Sequence, residues 1–148
     1  MPLVSARTLG VLACLVNFGL LAFNVFFTRA AALAALDANC FSPFGQMMIL
    51  VWGLAFLMAG LTEGSSLIWF AFVVEKSCYV ANYVAWHSNN SVQETWLNAH
   101  KSILYSDDLL ELLPPVFVAI YGPVDFLFLL AFLSQFLASL AKPKPHAS

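Results

Sequence analysis

Charge is what this chain has least of. Of its 148 residues, 9% are Asp, Glu, Lys or Arg and 61% are hydrophobic, whereas soluble domains carry about one quarter charged residues. A fold dissolved in water needs a polar shell, and this composition does not supply one. The six basic residues form no run and the formal net charge is -2, which argues against nucleic acid as a partner. Cysteine is scarce too: Cys14, Cys40 and Cys78 are widely spaced, two of them inside apolar stretches. Neither a disulfide framework nor a C-x-x-C redox or zinc pair is available. Also missing are the H-E-x-x-H metal helix, the G-x-S-x-G nucleophile turn and a glycine-rich phosphate loop. His87, Glu94, His100, Asp107 and Asp108 lie in one stretch, but their spacing fits no ligand motif, so neither metal nor cofactor is expected.

What the chain has in abundance is long apolar runs. A helix rises about 1.5 Å per residue, so a bilayer crossing takes about 20 predominantly apolar residues. Four segments qualify, at about 8–28, 44–62, 65–87 and 114–141. The expected fold is all-α: an integral membrane four-helix bundle running up-down-up-down, a single domain over 1–148 with a short polar tail at 142–148. The first run, 9–27, is longer than the roughly 7–15 residues of a secretory leader core, so it reads as a retained helix. Glu63-Gly64-Ser65 is a tight reversal, and Asp37, Asn39 and Ser42-Pro43 mark an outer connection. Trp96, Leu97, His100, Ile103 and Leu104 recur at helical spacing in the long polar stretch between the third and fourth spans. They suggest a short helix lying at the interface. Arg7, Lys142 and Lys144 on one side outnumber Arg29 and Lys101 on the other, which puts both termini in the cytoplasm.

The polar residues inside these spans carry the functional argument. On the first, Gly10, Cys14, Asn17, Leu21, Asn24 and Thr28 recur every three or four residues and form one small and polar stripe. Such a stripe packs against protein, with interhelical hydrogen bonds averaging about 0.6 kcal/mol each. Gly53 and Gly60 suggest a contact face on the second span. The third holds Glu75 and Lys76 near its middle, with Tyr79 and Asn82 on faces reached from them by steps of three or four residues. The fourth holds Tyr121, the Gly122-Pro123 break and then Asp125.

By helical rise, Glu75, Lys76 and Asp125 lie about 18, 16 and 15 Å below the outer helix ends, at a common depth. A single Lys or Asp at mid-helix costs about 2.5–3.5 kcal/mol to insert, so pairing must offset much of that. Two carboxylates against one ammonium leave one acid in excess, which needs a proton or a cation. The candidate site is therefore Glu75, Lys76, Asp125, Tyr79 and Asn82, supported by Asn17, Asn24 and Tyr121. A buried pair that only fixes helix register is the plainer alternative. The proline break beside Asp125 favours a pocket.

Three functional readings fit. In the first, the protein binds or moves a small solute, ion or lipid at this polar centre. In the second, it is a membrane enzyme on a lipophilic substrate, doing acid/base chemistry such as isomerisation, with Glu75 or Asp125 as the acid or base and Lys76 tuning it. In the third, it is an assembly subunit whose partners are copies of itself or a larger membrane complex. An apolar cavity reached from lipid and ending at the acids favours the enzyme. A wet path open to one face favours transport, and a filled bundle with its small-residue stripe exposed favours assembly.

Overall fold

The computed structural model describes residues 2–89 and 113–141. The expected interfacial helix, most of the polar stretch around it and the tail lie outside these residues. Every element among them is helical: α1 (Ala6–Phe23), α2 (Ala30–Leu36), α3 (Ala38–Phe41), α4 (Pro43–Leu61), α5 (Ser66–Asn89) and α6 (Leu113–Leu140). Four of these, α1, α4, α5 and α6, are long and apolar enough to cross a membrane, consistent with a multi-pass membrane protein. Polarity is distributed accordingly. Leu67 and Phe44 are more than 70% exposed, while Gln46 and Asn24 are at most 1% exposed. Apolar side chains turned outward and amides turned inward suit a hydrocarbon surround.

Local chemistry sets the helix ends. Ser5 Oγ accepts the Thr8 amide at 3.1 Å to start α1, and Ser42 Oγ accepts that of Gly45 at 3.1 Å to start α4, with Pro43 in the first turn. The ends of α4, α5 and α6 fall within two residues of expectation; that of α1 does not. The run expected to stay helical to residue 28 stops at Phe23, and Val25, Phe26 and Phe27 take φ of 45°, 55° and 70°. The Val25 amide donates to Ala22 O and the Phe26 amide to Leu21 O, which closes the last turn as a Schellman motif. α4 ends similarly, with Glu63 at φ 49° and the Gly64 amide on Ala59 O. Left-handed φ strains valine and phenylalanine. The apolar run thus outlasts the helix, since hydropathy records which side chains suit lipid and not where the backbone turns.

α1 packs on α4 where small residues let the backbones meet. A Cβ on Gly10 would stand 2.8 Å from Gly60 Cα and 2.5 Å from Phe56 O, and one on Gly53 would press on Asn17 and Phe18. The glycine face of α4 therefore meets the stripe of α1. α5 packs on α6 through rings: Trp69 with Phe132 at 6.1 Å, Phe70 with Phe136 at 5.4 Å and Tyr83 with Tyr121 at 5.1 Å. Two apolar clusters result. One contains Leu9, Phe56, Phe72 and Phe132, the other Leu20, Phe41, Trp86 and Val118. Along α5 and α6 the charged residues fall between them.

Candidate functional site

Gly122 positions the centre of the site. A Cβ there would overlap the Tyr83 ring, so glycine lets α5 and α6 approach closely at this level. One residue on, Pro123 lies inside α6 and has no amide hydrogen to give the Ala119 carbonyl four residues back. The Tyr83 hydroxyl donates to that carbonyl at 3.0 Å instead. The proline is thus accommodated by a side chain from the neighbouring helix.

Asp125, two residues beyond, meets α5. Its Oδ1 accepts from Lys76 Nζ at 2.6 Å. Glu75 Oε1 lies 3.6 Å from the same nitrogen, and all three residues are buried. The Lys76 ammonium also sits over the rings of Phe56, at 5.1 Å, and Tyr79, at 5.5 Å, where the ring faces offset part of its lost hydration. The three expected charged residues therefore meet. Their sharing is unequal: Lys76 and Asp125 form a charge-assisted bond, whereas Glu75 Oε2 is buried with no hydrogen-bond partner among the described residues.

A cavity of about 390 Å³ ends on this cluster. Leu12, Val16 and Gly19 of α1 and Ile120 and Val124 of α6 form its apolar walls, and Glu75, Lys76, Tyr79 and Asp125 line its polar end. Leu12, Val16 and Ile120 are also exposed on the outer surface, so the cavity opens sideways between α1 and α6. Its volume falls within the roughly 300–1,000 Å³ of small-molecule pockets.

No family model, curated protein or solved structure matches this chain. What the cluster can do has to follow from its own geometry.

The remaining candidates divide. Tyr79 lies at the cavity, under Lys76. Asn82 turns elsewhere, donating to Asp37 Oδ2 at 3.0 Å and to the Tyr121 hydroxyl at 3.1 Å. That hydroxyl donates in turn to Asp37 Oδ2 at 2.8 Å, while Tyr121 also lines the cavity. Asn17 lines it as well and donates to the Ile49 carbonyl of α4 at 2.8 Å. Asn24 donates to Gln46 Oε1 at 2.7 Å. Both asparagines thus tie α1 to α4.

Two residues outside the sequence-based candidates hold the surroundings in place. Asp37 caps α3, its Oδ1 accepting the amides of Asn39 and Cys40, each at 3.1 Å. Gln46, fully buried, donates to the carbonyls of Ala30 at 3.1 Å and Phe41 at 2.7 Å. Together they fasten the α2–α3 segment across the end of the cavity, where Cys40 and Phe41 form part of its lining. A helix-capping Asp just before Ser42-Pro43 was the available signal for Asp37. Gln46 gave none beyond being an amide in an apolar run. Among the described residues no three His, Cys, Asp or Glu lie together as a metal ligand set.

Proposed function

We propose that this protein takes a lipophilic molecule from the bilayer into the cavity between α1 and α6 and holds its polar group against Glu75, Lys76 and Asp125. The observation that carries this reading is the apolar, laterally open cavity with charge only at its inner end. Such a shape favours a molecule with an apolar body and one polar head over a hydrated ion.

The four long helices cross the membrane up-down-up-down. In support, contacts run Gly10 to Gly60, Asn17 to Ile49 and Asn24 to Gln46, descending α4 as they ascend α1. Likewise Trp69 with Phe132, Lys76 with Asp125 and Tyr83 with Ala119 descend α6 as they ascend α5. Both termini face the cytoplasm, on the excess of Arg7, Lys142 and Lys144 over Arg29 and Lys101.

A second reading is acid/base catalysis on the bound molecule, such as moving a double bond. It is favoured by Glu75, whose Oε1 lies 3.6 Å from the Lys76 ammonium and whose Oε2 has no hydrogen-bond partner among the described residues. The assembly-subunit reading loses its cue, because the small-residue stripe of α1 meets α4 of the same chain.

The test is to purify the protein in mild detergent and identify co-purifying apolar molecules by native mass spectrometry. Gly19→Trp serves as the blocked control: among the described residues a Cβ at Gly19 meets only the Phe23 ring, at 4.0 Å, and Gly19 lines the cavity, so a larger side chain has room to enter it. A lipophilic ligand retained by the native protein and lost from Gly19→Trp is expected. Equal retention by both, or by neither, overturns the reading.

A further inference from the structure

Resting on that reading, we infer that the cavity selects a cationic amphiphile, a long-chain primary amine whose ammonium docks on the carboxylate of Glu75, a residue of the cavity lining. Lys76 and Asp125 bond at 2.6 Å and neutralise one another. Glu75 is the acid left over: its Oε1 is 3.6 Å from the shared ammonium, and its Oε2, in a residue only 7% exposed, accepts from none of the described residues. Asp37, another buried acid, already accepts four hydrogen bonds and asks for no cation.

A carboxylate withdrawn from water and lacking a full partner is costly unless a proton or a cation neutralises it. An alkylammonium neutralises it and hydrogen-bonds it while its chain fills the apolar walls. A neutral alcohol supplies only the hydrogen bond. A fatty carboxylate adds a third negative group to two and is repelled. A quaternary ammonium brings the charge but has no N–H for the Glu75 carboxylate.

The experiment is calorimetric titration of the protein in zwitterionic nanodiscs, corrected against empty nanodiscs, with dodecylamine, dodecyltrimethylammonium, dodecanol and dodecanoate. Dodecylamine is expected to bind at least about tenfold more tightly than dodecanol, the margin of a charge-assisted over a neutral hydrogen bond. Dodecyltrimethylammonium should fall between them and dodecanoate last. Glu75→Gln should bring the amine to the level of the alcohol without weakening the alcohol. If amine and alcohol bind alike and both are lost in Gly19→Trp, the cavity reading stands and the amine inference is overturned. If none of the four binds, both fall. Comparing head groups on the unaltered chain tests the inference even if Glu75→Gln does not fold.

Discussion

Asp37 and Glu75 are both buried carboxylates, and the fold treats them in opposite ways. Asp37 accepts from two backbone amides, a tyrosine hydroxyl and an asparagine amide, so each oxygen has two donors. Glu75 has a loose ion pair through one oxygen and, among the described residues, no donor on the other. A carboxylate with all its acceptor positions filled is a latch: here it joins the α2–α3 segment to α5 and α6. One left short beside a cavity can take a ligand. Burial of charge therefore does not mark a site by itself; the completeness of its hydrogen bonding separates structure from function.

The largest effect expected is at the close ion pair. Asp125→Ala leaves the Lys76 ammonium with only the distant Glu75 carboxylate and should cost about 3–5 kcal/mol of stability, read by unfolding in detergent micelles. A loss below about 1 kcal/mol would mean that Glu75 substitutes freely, and that it was not the acid in excess. Next comes the latch. Asp37→Ala strips the cap from α3 and the acceptor from Tyr121 and Asn82, costing about 1–3 kcal/mol. Burial, followed by the charge of Asp37, pushes the Cys40 thiol up, so in a chain with Cys14 and Cys78 replaced by Ala it should resist maleimide at neutral pH and react only modestly faster once Asp37 is removed, because burial, the larger cause, stays.

A smaller change is expected from Asn82→Ala, about 1 kcal/mol. Most of it should vanish in the Asp37→Ala background, as a double-mutant cycle would register for neighbours in one network. Independent losses would show that Asn82 is not coupled to Asp37 and would overturn the latch. The smallest stability effect belongs to Glu75→Gln, about 1 kcal/mol or less by the same unfolding measurement, because it loses only the loose 3.6 Å ion pair and Lys76 keeps Asp125 at 2.6 Å. If it destabilises as much as Asp37→Ala, the two carboxylates do the same job and the contrast between them fails.

Much of this was legible from residue type and spacing. Gly53 and Gly60, seven apart, do face α1. The common helical depth of Glu75, Lys76 and Asp125 made their meeting possible without deciding it, since helix rotation brings them to 2.6 and 3.6 Å. The end of α1 was not legible: Val25 occupies a left-handed position where glycine would have announced the turn. Asn82 lies at helical spacing from Glu75 and Lys76 but bonds instead to Asp37 and Tyr121, on the α2–α3 connection and α6. Spacing along a helix says which residues share a face, not what stands opposite.

Four long apolar helices, an interior that gathers the polar residues and charges at one depth follow from composition and the rise of a helix, because insertion into hydrocarbon constrains each segment alone. Tertiary structure decided which carboxylate is saturated and which is left short, and where the cavity opens. Those outcomes depend on helix rotation and approach, fixed by contacts such as Gly10 on Gly60 and Gly122 on Tyr83 between residues remote in the chain. Hydropathy, which scores each side chain against lipid, carries no information about such pairs.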